Sequence, residues 1–208
     1  MKLIIVRLVL ALAAFAIVPN ALAAGSDDGD IFLDAKVGKT FGSNSGGSGY
    51  NSDSQSSWGV DGGYRWKLDD ARLLGFDVGY MHFGDISAGD PMSFSTGMVS
   101  RSAISVGANY HFLFGDDKAS YLQARVGVMS VKFDESFSTF APAPVTTGSY
   151  SSHHGGWYYG LGIGRYVTQD FSLILVWELY NSGSGQSYSN FPTDLNLGFL
   201  GLEAEYRF

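Results

Sequence analysis

Apolar and polar residues alternate one by one along eight separate stretches of this chain, the signature of strands with one greasy and one polar face. In the first stretch, 31–41, Ile31, Leu33, Ala35 and Val37 share one face, and Phe32, Asp34, Lys36, Gly38 and Thr40 share the other. The second, 58–66, sets Trp58, Val60, Tyr64 and Trp66 against Gly59, Asp61, Gly63 and Arg65. The third, 71–83, sets Leu74, Phe76, Val78 and Tyr80 against Gly75, Asp77, Gly79 and Met81. In the fourth, 98–114, Ile104, Val106, Ala108, Tyr110 and Phe112 oppose Arg101, Ala103, Ser105, Gly107, Asn109 and His111. The fifth, 121–133, opposes Leu122, Ala124, Val126 and Val128 to Gln123, Arg125 and Gly127. The sixth, 156–167, opposes Trp157, Tyr159, Leu161 and Ile163 to Gly160, Gly162 and Gly164. The seventh, 171–180, opposes Leu173, Leu175, Trp177 and Leu179 to Ser172 and Glu178. The last, 194–208, ends in Leu200, Leu202, Ala204, Tyr206 and Phe208 alternating with Gly201, Glu203, Glu205 and Arg207.

The connections alternate in length. Residues 67–70, 115–118 and 168–170 are tight turns, whereas 42–57, 84–96, 134–155 and 181–193 are long and rich in Gly, Ser, Thr, Asn and Pro. With no helical crossover, neighbouring strands are antiparallel hairpins. All short turns then lie at one end of the sheet and all long loops at the other. The prediction is an all-β fold, an eight-stranded antiparallel up-and-down transmembrane β-barrel. A soluble barrel would show the same alternation. Aromatics near the ends of the apolar rows argue for two interfacial girdles: Trp58, Trp66, Tyr80, Tyr110, Phe112, Trp157, Tyr159, Tyr206 and Phe208. The polar rows are rich in Gly and poor in long charged residues, which suits a narrow lumen better than a solvated surface.

Composition narrows the class further. Twenty-eight Gly and 15% aromatics favour strands and turns over helices, which Gly disfavours. A formal charge of −7 argues against nucleic acid. The absence of Cys removes disulfides, a thiolate nucleophile and Cys-based zinc sites. Lys2 and Arg7 precede an apolar run over 8–18, Pro19 breaks it, and Ala21-Leu22-Ala23 has the small-x-small cleavage pattern. Residues 1–23 are therefore expected to be a signal peptide and 24–208 the barrel domain, with a formal charge of −9 after removal.

The polar rows predict a lumen charge network of Asp34, Lys36, Asp61, Arg65, Asp77, Arg101, Arg125, Glu178, Glu203, Glu205 and Arg207. An eight-stranded interior is only wide enough to be filled by side chains. The expectation is an ion-paired plug, with a narrow gated pore for ions or small solutes as the alternative.

Four stretches carry a resemblance: Phe32-Leu33-Asp34-Ala35-Lys36-Val37-Gly38, Gly79-Tyr80-Met81-His82-Phe83-Gly84, Gly160-Leu161-Gly162-Ile163-Gly164-Arg165-Tyr166, and Tyr206-Arg207-Phe208. In this order the chain resembles the OmpA-type/OmpX-like family of small eight-stranded outer-membrane β-barrels. The resemblance implies a Gram-negative outer-membrane location with both termini periplasmic. It implies that Tyr206 and Phe208 form a signal read by the barrel-assembly machinery. It also implies that Lys36 acts as the inward lysine of a lumen gate. It departs after Phe208, where full-length members carry a peptidoglycan-binding domain, so cell-wall tethering is not implied.

Chemistry beyond this is sparse. Some barrels of this size modify lipid A, and His82 is the best candidate base, with Ser100, Ser102, Asp85 and Asp90 near it in the strand pattern. The simpler reading is an interfacial histidine, so no enzyme, catalytic residue, metal or cofactor is expected. His153-His154 reads as loop, and His111 as a solvated residue near a short turn. Tyr50, Tyr150 and Tyr188 are candidate adhesive contacts in the long loops. Lys39 and Lys132 are candidate contacts for lipopolysaccharide phosphates. The function expected is structural and surface-interacting, in envelope integrity and adhesion. The expected partners are outer-membrane lipid, lipopolysaccharide, the assembly machinery and an extracellular or host ligand, with the barrel acting as a monomer.

Overall fold

The computed structural model describes residues 29–42, 54–90, 95–139, 145–183 and 195–208. The expected signal peptide, Tyr50 and Tyr188 lie outside them. Eight antiparallel strands close into a barrel in sequential order. They are β1 (Gly29–Phe41), β2 (Gln55–Asp69), β3 (Arg72–Asp90), β4 (Ser95–Phe114), β5 (Ser120–Thr139), β6 (Thr147–Tyr166), β7 (Phe171–Ser182) and β8 (Leu195–Arg207). Closure pairs β1 with β8, so the described strands form one continuous ring of ladders.

The pairing fixes the geometry of the ring. A path perpendicular to the strands leaves Ile31 and passes through Tyr64, Phe76, Ala108, Val126, Tyr159, Leu179 and Gly198. It returns to β1 at Phe41, so the stagger around the barrel runs from position 31 to position 41. With ~3.3 Å per residue and ~4.8 Å between strands, that stagger tilts the strands by about 40° and sets a backbone radius of about 8 Å. Such a cylinder has room for side chains and for no broad channel.

Turn chemistry explains one end. At the β2–β3 turn the Ala71 amide donates to Asp69 Oδ1 at 2.9 Å, and Arg72 Nε donates to Asp69 Oδ2 at 2.6 Å. The Arg72 hydrogen bond holds the Asp69 carboxyl below the usual carboxylate range. The β4–β5 turn needs left-handed backbone at Gly115 (φ 88°) and Lys118 (φ 49°), and the Lys118 amide closes it onto the Gly115 carbonyl at 3.1 Å. At the β6–β7 turn the Val167 amide donates to the Phe171 carbonyl at 2.8 Å.

The other end departs from the sequence expectation. The stretches 84–96 and 134–155, read as loops, are mostly strand: β3 runs on to Asp90, β4 starts at Ser95, β5 runs to Thr139 and β6 starts at Thr147. β2 also begins earlier, at Gln55, and continues to Asp69. The extensions carry Ser, Thr and Gly on both faces, so they lack the apolar–polar alternation by which a strand is recognised. A register shift between His82 and Asp85, with Gly84 at φ 87°, marks where β3 leaves the barrel wall.

The outward rows form an apolar belt. Ile31, Val37, Val60, Phe76, Val78, Ile104, Val106, Leu122, Val126, Val128, Leu161, Ile163, Leu173, Leu175, Leu200 and Leu202 are all exposed. Trp66, Phe112 and Tyr206 stand at its turn end, and Trp58 and Trp157 at its loop end. An exposed apolar surface of this extent requires lipid. Val126, 59% exposed and within the belt, is a direct test. Val126→Arg is expected to cost about 2–4 kcal/mol in urea unfolding of the barrel from lipid vesicles. A change near zero would show that this face does not meet lipid.

Inward glycines make room for rings. The Tyr158 ring lies over Gly107 and Gly127, and the Phe199 ring over Gly38 and Gly201, in contacts that a Cβ at any of these four would clash with. Without these glycines, the wide aromatic side chains of the interior would not fit inside a cylinder this narrow.

Candidate functional site

The interior is the candidate site, and it changes character along the barrel axis. At the turn end, Arg65 makes a bidentate pair with Glu205, at 2.9 and 3.0 Å. Its Nε donates to Asn109 Oδ1 at 2.9 Å, and its guanidinium lies 4.1 Å over the Phe32 ring. Asn109 is in turn oriented by donating to Asp77 Oδ2 at 2.8 Å. Tyr121 shares a 2.7 Å hydrogen bond with Ser172 and stacks on His111 at 4.4 Å between ring centroids.

His111 therefore corrects the sequence reading. It is fully buried rather than solvated. Its position near a short turn suggested solvent, but its phase on β4 points it inward, in the same row as Asn109 and under Tyr121.

Arg125 is the hub of the middle layer. Its Nη2 lies 3.3 Å from both Asp61 Oδ1 and Asp77 Oδ1. Its Nη1 lies 3.1 Å from Glu203 Oε2 and 3.7 Å from Glu178 Oε1. Tyr158 donates its hydroxyl to Asp77 Oδ1 at 2.9 Å. Lys36 reaches Glu178 Oε2 at 2.9 Å and Asp61 Oδ2 at 3.1 Å, while the Tyr180 hydroxyl donates to Glu178 Oε2 at 2.5 Å. Asp34 is buried in the same layer, and its two oxygens have no hydrogen-bond partner. One oxygen from each of Asp34, Asp61 and Glu203 lies within 4.8 Å of the others, so these are the residues that would hold a cation.

Toward the loop end the interior turns apolar. Met81, Phe83, Val99, Met129, Val131, Phe133, Leu197 and Phe199 are buried in one cluster with Tyr158 and Tyr180. Phe83 packs edge-on against Tyr180 at 4.9 Å. Sequence reasoning treated the inward rows as small or charged and missed this block. The signal was available: Tyr158, Tyr180, Phe83, Phe133 and Phe199 all sit in the same strand phase as the inward charges.

Two of the expected network members stand apart. Arg101 is buried but lies in the apolar half, opposite Phe133 on β5, and its Nε has no hydrogen-bond partner. Arg207 lies at the turn-end rim, 3.5 Å from Asp30 and 4.0 Å over the Tyr166 ring, and donates to the Gln169 carbonyl. The strand pattern gave each its inward phase but not its height in the barrel. Tyr206 faces outward and packs edge-on against Phe208 at 5.0 Å, and the Phe208 amide donates to the Ile31 carbonyl at 3.0 Å.

The remaining chemical candidates lie outside the charged network. His82 Nε2 is 3.9 Å from Asp85 Oδ1, beyond hydrogen-bond reach, and its ring packs against Trp58 at 5.9 Å. Ser102 is its cross-strand neighbour, Ser100 pairs across from Asp85, and the side chain of Asp90 lies outside the described residues. His153 and His154, read as loop, are in β6, where His154 packs edge-on against Phe133 at 5.4 Å. Lys39 donates to Ser56 Oγ at 3.1 Å, and Lys132 pairs with Asp134 at 2.8 Å. Tyr150 is exposed on β6, across from Glu135.

Above the belt β3 to β6 continue as a four-stranded wall. Among the described residues, β3 from Asp85 to Asp90 pairs only with β4, and β6 from Thr147 to Gly155 pairs only with β5.

Comparison with known proteins agrees with this architecture. The family model of the outer membrane protein beta-barrel domain matches residues 8–208. The chain belongs to that family. Its location is accordingly the outer membrane of a Gram-negative bacterium. A major outer membrane protein from Thermus thermophilus shares the fold at 14% identity and a TM-score of 0.58, over 86% of this chain and 99% of that one. Ail, the attachment invasion locus protein of Yersinia pestis, shares it at 18% identity and a TM-score of 0.50, over 87% and 98%. At these identities the likeness is one of fold. No curated protein sequence matches the chain.

Proposed function

We propose that this outer-membrane barrel is a structural and surface-interaction protein, serving envelope integrity and adhesion, with an interior closed to solutes. The observation that carries this reading is the β3–β6 wall. Two hairpins rise beyond the apolar belt, where lipid no longer explains their strands. Their described outer residues, among them Ser136, Phe137, Ser149, Tyr150 and Ser151, are hydroxyl-rich with aromatic area, the chemistry of an adaptable contact surface. The ladder edges at Asp85–Asp90 and Thr147–Gly155 add main-chain donors and acceptors. In this reading residues 1–23 are a cleaved signal, both termini face the periplasm, and Tyr206 with Phe208 is read during assembly. The barrel acts as a monomer and is not an enzyme. His82 is an interfacial histidine, its ring against Trp58.

Shortening β5 and β6 to 133 and 153, joined by a tight turn, is the test. The shortened barrel is expected to remain folded and heat-modifiable, because the belt and the interior network lie below the cut. Cells expressing the full barrel should adhere to epithelial monolayers several-fold more than cells expressing the shortened one. Equal adherence of the two would remove the wall from the function. A narrow pore is the competing reading, and the buried cluster of Phe83, Phe133 and Phe199 weighs against it.

A further inference from the structure

The interior carries more negative than positive groups. Asp34, Asp61, Asp77, Glu178, Glu203 and Glu205 are all buried, and Lys36, Arg65 and Arg125 are the bases that contact members of this set. Six carboxylates against three bases leave a formal excess of three negative charges in a dry interior, where unpaired charge is costly. The excess is not spread evenly. Asp77 is satisfied by Asn109, Tyr158 and Arg125, Glu205 by Arg65, and Glu178 by Lys36 and Tyr180. Asp34 has neither oxygen satisfied, although it is 2% exposed. Beside it, Asp61 Oδ2 lacks a hydrogen bond, its 3.1 Å contact to Lys36 being an ion pair without hydrogen-bond geometry. Gln123 Oε1, on a residue whose amide nitrogen donates to Glu203 Oε1 at 3.4 Å, is a further acceptor without a donor. Asp34 and Asp61, side by side across the β1–β2 ladder, thus carry three carboxylate oxygens without a donor.

We infer that Asp34, Asp61 and Glu203 form a buried site for a calcium-sized cation, held inside the barrel. Hard oxygen donors alone suit calcium or magnesium and not zinc. Ligand oxygens lying within 4.8 Å of one another can surround an ion with 2.3–2.6 Å bonds. Magnesium demands near-ideal octahedral geometry at about 2.0–2.1 Å, whereas calcium accepts the irregular, part-bidentate carboxylate set present here. Asp34 would be the principal ligand, since no base or amide donates to either of its oxygens. Asp61 would be shared, because Arg125 Nη2 and Lys36 Nζ already lie at 3.3 and 3.1 Å from its two oxygens. The competing arrangement is a proton shared between the Asp34 and Asp61 carboxyls, and the two make opposite predictions for metal content.

The experiment refolds the full barrel from urea into detergent micelles with millimolar calcium chloride. Excess ion is then removed on an EDTA-equilibrated desalting column, and metal is measured by elemental analysis. Wild type is expected to retain one calcium per barrel and to unfold at higher urea than barrel refolded in EDTA. In Asp34→Asn the bound calcium should fall to background and the two refolding conditions should give the same urea midpoint. The substituted amide keeps the size of the carboxyl and supplies a donor to Asp61, so this variant should still fold. Glu203→Gln provides a second variant, with the same loss of calcium expected. Absence of calcium from folded wild type would overturn the inference in favour of the shared proton. Calcium retained equally by Asp34→Asn would also overturn it, by placing the ion elsewhere.

Discussion

Replacing Arg125 with leucine is expected to destabilise the barrel by about 3–5 kcal/mol, the largest effect of any single charged residue in it. The reason is geometric. One guanidinium stands within 3.3 Å of Asp61 and Asp77 and 3.1 Å of Glu203, so its loss strands several carboxylates at once. It also deepens an interior excess that is already negative. Arg125→Lys keeps the charge but not the planar fork, and one ammonium does not reach carboxylates on β2, β3 and β8 together. Lysine is therefore expected to restore only part of the loss. Urea unfolding in micelles, followed by tryptophan fluorescence and by the folded-to-unfolded gel shift, measures both variants. A leucine variant as stable as wild type would mean that the carboxylates around it do not carry their charges.

Phe199→Ala is expected to cost about 3–5 kcal/mol by opening a cavity in the loop-end half of the interior. Phe199 is fully buried and fills the space left by Gly38 and Gly201, and backbone glycines cannot collapse onto the gap as side chains would. The effect on permeation follows from the same geometry. Phe83 and Phe199 belong to the apolar block that caps the charged layer. The double variant Phe83→Ala, Phe199→Ala is expected to give discrete conductance steps in planar bilayers where wild type gives none. Steady channels from wild type would overturn the closed-interior reading, and their loss in Lys36→Ala would assign them to a gate at Lys36.

The structure separates what strand periodicity carries from what it does not. The inward direction of Asp34, Lys36, Asp61, Arg65 and Arg125 was legible, because side chains alternate with period two whatever the strand pairs with. The same rule applied to Tyr158, Tyr180 and Phe199 would have filled the loop-end half with rings, and only an assumption about lumen chemistry hid it. His111 was misread for a similar reason: nearness to a turn was given more weight than phase. The long loops failed for a different one. In 134–139 and 147–155 no side of the strand is buried in lipid, so Ser, Thr and Gly occupy both rows and the alternating signal vanishes although the hydrogen-bonded ladder continues.

Partner choice in the interior was beyond the sequence. Lys36 meets Glu178, 142 positions away, and Arg65 meets Glu205, 140 positions away. Each contact spans one intervening strand at the closure, β8 for the first and β1 for the second, so both depend on the stagger that carries Ile31 around to Phe41 as well as on which residues face inward. A different stagger would keep every inward residue inward and give each a different neighbour. The sequence alone determined eight amphipathic strands, their antiparallel order and the face each presents to lipid, because these are local properties of alternation and turn length. Only the tertiary structure decided the heights at which inward residues lie, the four-carboxylate reach of Arg125 and the lack of a donor at Asp34. Those are set by closure and stagger, which join residues from opposite ends of the chain.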